Sequence, residues 1–500
     1  MKRRTTVILL SLIAAYFLSG KAAYGQRTIP LTFETAIDIA LKNSYQVRQL
    51  QLGITRTRKW LQAERADLKS RLYLNLDTPE LQSVSENLWN STSKEWEIVH
   101  QNTRQWQAEF SLRQPIILFG YPTNGYLSFN NRIYRYSQIT DTIDTKYYNR
   151  YFLKLEQPLF QPNTLKNNLE DAELNLEQQE LQYLQNLVQI LARIADDYYD
   201  LYRLAYKNEI LQHNVKNLEK ASDIANAIAE KDTSRSIEAI QVQVDLANAR
   251  EELSQNTSDI RLQKSSMKQR LRLSQDDSLS LVPNPQVSRV NVDIDQAVQY
   301  GYTLRPRLRI QNISKRKNEI DLNNTKGWNA FRVNLEVTYG LEKQDPYYQN
   351  LWQGQDNSYS VSLHAYVPLW DWGQRKARLE ARKIDIQRND LYIEESKTSI
   401  KSAIRNAVSN LKEYQDRASN MRENMDMAKE ISSISVEQYR DGKISLQDLL
   451  QTIDRQKKTE LNFLDAYLGY RRSLLTLMRN TYYDYENDSP LKNRFGDQLQ

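Results

Sequence analysis

From Asn163 to Val282 the chain contains neither Gly nor Pro, and from Gln374 to Ser489 its only breakers are Gly442 and Gly469. Stretches that long without turn-forming residues leave long helices as the natural conformation. The second stretch places Ile400, Ile404, Ala407, Leu411, Tyr414, Ala418, Met421, Met425 and Ala428 at alternating steps of four and three. That spacing is a heptad seam, which winds left-handed against a neighbour. The first stretch carries Ile190, Ile194, Asp197, Leu201, Leu204, Asn208, Leu211, Val215 and Leu218 in the same phase. Across all 500 residues there are 13 Gly and 12 Pro, about 5% together against about 12% in average usage.

Each helical stretch holds one reversal. In Tyr439-Arg440-Asp441-Gly442-Lys443 a Gly stands where a helix can end in the left-handed conformation. Ser445 and Asp448 then have the Ser-x-x-acid spacing that opens a new helix. The first stretch reverses at Glu230-Lys231-Asp232-Thr233-Ser234, without a Gly. Each stretch therefore predicts a hairpin of two helices of about 65 residues, each about 100 Å long at 1.5 Å per residue.

Between the helices the period drops to two. Phe331, Val333, Leu335, Val337 and Tyr339 alternate with polar residues, and so do Tyr359, Val361, Leu363, Ala365 and Val367. Leu72, Leu74 and Leu76 form a similar segment, as do Tyr151, Leu153 and Leu155, with further candidates at Gln107–Arg113 and Tyr126–Arg135. Segments of this length suit either one face of a soluble β-sandwich or strands of about 9–11 residues crossing a membrane as a barrel. Trp328, Tyr359 and Trp370 at segment ends fit interfacial belts. The surplus of 31 Tyr and 8 Trp in a chain of mean hydropathy -0.72 is assigned to these segments. Two strands per repeat make four per chain. Four cannot close a barrel, and an open edge in lipid leaves unsatisfied backbone groups, so two or three copies must complete the wall.

The chain repeats itself. Phe33-Glu34-Thr35-Ala36-Ile37-Asp38 matches Ile294-Asp295-Gln296-Ala297-Val298-Gln299, behind capping residues Thr32 and Asp293. Gln157-Pro158-Leu159-Phe160 matches Val367-Pro368-Leu369-Trp370, and Glu238-Ala239-Ile240-Gln241 matches Asp448-Leu449-Leu450-Gln451. The expected organisation is a first repeat over 26–285 and a second over 286–486. Each is a helix, a strand pair and a helical hairpin, followed by a polar tail over 487–500. The first repeat carries an insert at about 78–146, suited to a surface loop or an added hairpin.

Residues 1–25 read as a secretory signal. Lys2, Arg3 and Arg4 precede the apolar run Val7–Leu18, and Ala23-Tyr24-Gly25 supplies small residues for cleavage. Its removal takes four basic residues from a net charge of +6, leaving +2. That balance gives no reason to expect nucleic acid as a partner. With no Cys there is neither a disulfide framework nor a thiolate metal site. His100, His213 and His364 stand apart, outside any metal-binding spacing, and no phosphate loop or nucleophile elbow occurs. No catalytic, cofactor or metal residue is expected, and the chain reads as a non-enzyme.

The paired helix openings, the paired Pro-Leu-aromatic strand ends and Tyr439-x-x-Gly442-x-x-Ser445-x-x-Asp448-Leu449-Leu450 resemble the TolC-like outer-membrane efflux proteins. The resemblance runs from about Thr28 to Tyr485. It implies a mainly α fold with membrane β. Three chains contribute four strands each to a twelve-stranded outer-membrane β-barrel, continued by a long coiled-coil barrel through the periplasm. It implies passive export of small molecules or polypeptides, in tripartite efflux or type I secretion. The implied partners are a periplasmic adaptor, an inner-membrane RND or ABC transporter and outer-membrane lipid. Tyr439, Asp441, Gly442, Lys443 and Asp448 become candidates for the periplasmic gate, with Asp448 alternatively a helix cap. Some relatives carry a basic residue five positions after the Tyr and a second acid three after the Asp. Here those positions are Ile444 and Gln451. The competing reading is a periplasmic coiled-coil adaptor or scaffold, which should carry a lipoyl-like domain with Gly-rich turns.

Overall fold

The computed structural model describes residues 28–139 and 143–495. The expected signal segment, 1–25, lies outside them. In chain order the elements are β1 (Thr28–Pro30), α1 (Phe33–Asn43), α2 (Tyr45–Ala66), β2 (Arg71–Asn90), β3 (Glu95–Leu118), β4 (Tyr121–Ile139) and β5 (Ile143–Leu159). There follow α3 (Thr164–Lys231), α4 (Ser236–Leu271), β6 (Ser278–Ser280), α5 (Ile294–Thr303), α6 (Pro306–Gly327), β7 (Arg332–Asp345) and β8 (Asp356–Tyr366). The chain ends in α7 (Gln374–Arg440), α8 (Leu446–Thr481), the short pair β9 (Tyr483–Asp484) and β10 (Ser489–Pro490), and α9 (Leu491–Phe495).

Two compact units divide the chain. One comprises residues up to 51, 183–306 and from 397 onward, and the other comprises 52–182 and 307–396. The first is helical. The heptad residues Ile400, Ile404, Ala407, Leu411, Ala418, Met425 and Ala428 are all buried, as are Ile190, Ile194, Leu201, Leu211, Val215 and Leu218. The two polar residues in the first seam find partners on α4. Asp197 pairs with Arg270 at 2.5 Å, and Asn208 accepts from Asn256 and Thr257 at 3.4 and 3.3 Å. Burial pushes the Asp197 carboxyl up, against the opposing pull of Arg270. Polar seam positions with one satisfying partner fix the register of a helix pair.

The hairpin arms differ from the expected equal lengths. α3 and α7 have 68 and 67 residues, but α4 and α8 have 36 each. Both short arms stop at a residue in the left-handed conformation, Arg272 (φ 57°) and Tyr482 (φ 57°). Neither stop is a Gly, so composition gave no sign of it. The aromatic surplus is likewise not confined to strands. Tyr183, Tyr198, Tyr199, Tyr202, Tyr206, Tyr439, Tyr467 and Tyr470 are buried in the helical unit.

The second unit holds one antiparallel sheet of six strands in the order β2-β3-β4-β5-β7-β8. This corrects the expected four strands per chain. β3 and β4 lie within the insert, and β2 runs into it. The residues Gln107–Arg113 and Tyr126–Arg135 therefore belong to the sheet. Its two outer strands, β2 and β8, do not pair with each other. Chain direction alternates at every step, so the strand ends that connect to helices (Arg71, Leu159, Arg332 and Tyr366) all lie at one end of the sheet.

Candidate functional site

The two hairpin reversals solve one problem with different residues. After α7, Gly442 takes φ 70°. Its N–H donates to the Tyr439 carbonyl (3.0 Å), and the Lys443 N–H donates to the Gln438 carbonyl (2.8 Å). This closes the helix end in a Schellman arrangement. Ser445 then caps α8. Its hydroxyl accepts from the Asp448 N–H (3.2 Å), while the Asp448 carboxylate accepts from the Ser445 N–H (3.2 Å) and hydroxyl (2.6 Å). These bonds, led by the hydroxyl, hold the Asp448 carboxyl below its ordinary pKa. Asp441 pairs with Lys443 at 2.8 Å on the exposed turn, and the pairing lowers the Asp441 pKa and raises that of Lys443. After α3, Asp232 caps a short 3-10 turn, Thr233–Arg235, that leads into α4. Its carboxylate accepts from the Ser234 N–H (3.0 Å) and hydroxyl (2.6 Å).

The two tips meet in one apolar cluster. Val215, Leu218 and Val242 of the first hairpin pack with Val436, Leu449 and Ile453 of the second, and Ala221, Ala225 and Ala239 allow close approach. Tyr439 is fully buried in this cluster. Its hydroxyl donates to Glu238 Oε2 at 3.1 Å. Arg235 holds the same carboxylate with two bonds, Nε to Oε1 at 3.0 Å and Nη2 to Oε2 at 2.7 Å. The Arg235 contact pulls the Glu238 carboxyl below its ordinary range. Burial, reinforced by the carboxylate, pushes the Tyr439 hydroxyl up to about 12. The result is a charge-assisted bridge between the two reversals.

Of the residues named from sequence, Tyr439 is in this bridge, whereas Asp448 is tied to Ser445 in its own turn. Ile444 packs against the apolar cluster, so the position that is basic in some relatives serves packing here. Arg235 and Glu238 were missed as site residues. The available signal was the alignment of Glu238 with Asp448 across the duplication. Among the described residues, no group of three or more His, Asp or Glu gathers where a metal could sit.

The second unit carries a different kind of site. In the six-stranded sheet Leu72, Leu112, Phe129, Leu153, Tyr339 and Tyr359 lie in register, one per strand. All six are exposed, Leu72 at 64% and Tyr359 at 81%. The adjacent row on the opposite face is Arg71, Arg113, Ser128, Lys154, Thr338 and Ser360. Polar residues of that face are paired: Arg132 with Glu109 (2.6 Å), Arg113 with Glu156 (3.1 Å), and Lys154 with Glu156 (2.7 Å) and Glu336 (3.1 Å). Ser111 and Asn130 are buried and share a 2.6 Å hydrogen bond. A water-soluble sheet buries its apolar face and exposes its polar one. This sheet does the reverse. Aromatic residues bracket the apolar face. Phe160 with Phe331, and Trp370 with Trp372, mark the end where helices attach, and Tyr147 with Tyr348, and Tyr151 with Trp352, mark the other. Apolar outside, polar inside and aromatic girdles form the pattern of a membrane-spanning barrel wall. No helix among the described residues is long and apolar enough to cross a membrane.

Comparison with known proteins agrees. No curated protein matches the sequence. Among solved structures, the CmeC outer membrane channel of Campylobacter jejuni superposes with a TM-score of 0.64 at 12% identity, over 96% of this chain and 94% of that one. The outer-membrane channel OprN gives 0.64 at 13% identity, over 90% and 89%. The outer membrane protein VceC of Vibrio cholerae gives 0.61 at 13% identity, over 90% and 95%. These likenesses concern the fold. The model of the outer membrane efflux protein family matches residues 126–271 and 332–481, each stretch running from strands through a helical hairpin. That is more than half of the chain, and with the inverted sheet it places the protein in the outer membrane efflux protein family.

Proposed function

We propose that this outer-membrane efflux channel works as a homotrimeric duct, closed by its own copies and gated at the helical hairpin tips. Membership of the family makes the chain the outer-membrane channel component of a tripartite efflux system. The observation behind the duct is the exposed apolar face on a sheet with two unpaired edges. In hydrocarbon those edges must find partners, and further copies of the same chain supply them. The helices continue the duct into the periplasm, where the tips meet a periplasmic adaptor and an inner-membrane RND or ABC transporter that supplies the energy. Cargo, whether small molecules or polypeptides, passes through without a catalytic step.

In this reading the Tyr439–Glu238–Arg235 bridge holds the closed state, with Gly442, Asp441 and Lys443 shaping the turn that moves. Asp448 keeps the start of α8 intact. The shift of a tip helix between two packed arrangements is a familiar gating device. A periplasmic adaptor or scaffold would have no use for a membrane-facing sheet. The test is fractionation followed by planar-bilayer recording. Heat-modifiable trimers in the outer membrane, conducting ions after reconstitution, are the expected result. A monomer confined to the periplasmic fraction would refute the proposal. Susceptibility of a deletion strain to small toxic compounds, with complementation, then separates efflux of small molecules from polypeptide secretion.

A further inference from the structure

We infer that all six strands of each copy enter the barrel wall, with β2 of one copy pairing with β8 of the next, so that three copies close an eighteen-stranded barrel. This rests on the trimeric duct proposed above. It departs from the twelve strands that the resemblance implies.

Three observations carry it. The apolar row from Leu72 to Tyr359 crosses β2 and β3 in the same register and on the same face as the other four strands. β2 and β3 are therefore part of one lipid-facing surface. Removing them from the wall would break the β3–β4 ladder, which runs unbroken from Asn102–Ile139 to Pro115–Tyr126. Next, the two edges are complementary. An even number of alternating strands brings β2 antiparallel to a neighbouring β8. Leu72, Leu74 and Leu76 project on the apolar side of one edge, and Tyr359, Val361 and Leu363 on that of the other, all exposed. Lastly, the first seven residues of one edge and the whole of the other lack the devices that stop strands from pairing, which are Pro, Lys or a bulge. Arg71–Asp77 and Asp356–Tyr366 contain neither Pro nor Lys. Pro79 sits beyond them on β2, in the register shift between Asp77 and Glu80. The 11 residues of β8 match the length of a membrane strand. Barrel diameter grows roughly linearly with strand number, so the pore at the membrane is about half again as wide as a twelve-stranded one.

The chain has no Cys, so introduced pairs report cleanly. Leu74→Cys is combined in turn with Tyr359→Cys, Val361→Cys and Leu363→Cys, which covers neighbouring registers, and outer membranes are oxidised. Within one chain these strands are about 24 Å apart at about 4.8 Å per strand, far beyond disulfide reach. Covalent dimers and trimers therefore report contacts between copies. The parallel set joins Phe129→Cys on β4 to the same three positions. The expected result is a covalent ladder from the β2–β8 set and none from the β4–β8 set. A ladder from β4–β8 alone overturns the eighteen-stranded wall while leaving the trimeric duct in place. Heat-labile trimers with no ladder from either set also overturn the edge pairing, and a monomer in the membrane overturns the duct itself. Single-particle imaging of the unaltered protein in detergent gives a second count. Eighteen strands around the rim support the inference, and twelve refute it.

Discussion

Tyr439 places a phenol hydroxyl on a carboxylate that an arginine already holds, deep in an apolar cluster. A hydrogen bond to a charged group contributes about 1.5–3 kcal/mol. Tyr439→Phe removes that bond and keeps the packing, so under the proposed gating role the closed state would lose about that much per copy. The expected outcome is a rise of at least about tenfold in open probability in planar bilayers with the trimer intact, since about 1.4 kcal/mol is tenfold in an equilibrium. Unchanged gating would show that the bridge is only structural. The pH dependence follows from the depressed Glu238 pKa. A carboxyl whose folded value is lowered contributes fully above its unfolded value, about 4.3. It loses that contribution as pH falls through the folded value. Conductance should stay flat from neutral pH down to about 5 and rise at lower pH, and Glu238→Gln should conduct more at neutral pH and lose the acid step. Sequence showed Gly442 and the Ser445–Asp448 cap, because both are local and obey turn and cap chemistry. It did not show the Glu238 bridge, because that partner lies on the other hairpin, behind a reversal with no Gly to mark its geometry.

The heptad period predicted the buried faces of the long helices well, since burial follows spacing whatever the partner. Arm lengths and the strand total depended on features without a local signature. Two helix ends rest on left-handed Arg272 and Tyr482, and the extra strands lie in a polar, aromatic insert whose alternation is weaker than that of Arg332–Asp345. Tight helix contacts give a direct test. Gly469 of α8 faces the ring of Tyr414 on α7, and a Cβ built there would collide with ring carbons Cδ1 and Cε1. Gly469→Ala gains up to about 1 kcal/mol of helix propensity, yet overpacking a well-filled contact typically costs about 1–3 kcal/mol. The variant should melt at lower temperature by circular dichroism, and adding Tyr414→Ala should relieve part of the collision. A variant as stable as the parent would mean that the ring moves aside freely.

For the molecule as a whole, the inverted sheet separates two kinds of substitution. Leu153→Arg puts a charge on the lipid-facing side, at a cost of about 2–4 kcal/mol near the bilayer midplane. It should sharply reduce heat-modifiable trimers in the outer membrane. Ser360→Arg, on the polar side, should assemble normally and shift ion selectivity towards anions, as read from reversal potentials in a salt gradient. Equal assembly defects in both would argue against a lipid-facing apolar side. The β2–β3 hairpin has a further consequence. Beyond Trp106 its strands turn charged, with Arg104, Glu95, Glu97 and Glu80, and it ends where Trp89 meets Trp96 edge to face at 5.6 Å. On the proposed barrel this half would stand clear of the bilayer at the end away from the helices, a landmark on the cell's exterior. Antibodies and phages would meet it first, and an epitope spliced between Thr92 and Ser93 would let intact bacteria be stained without touching the conduit.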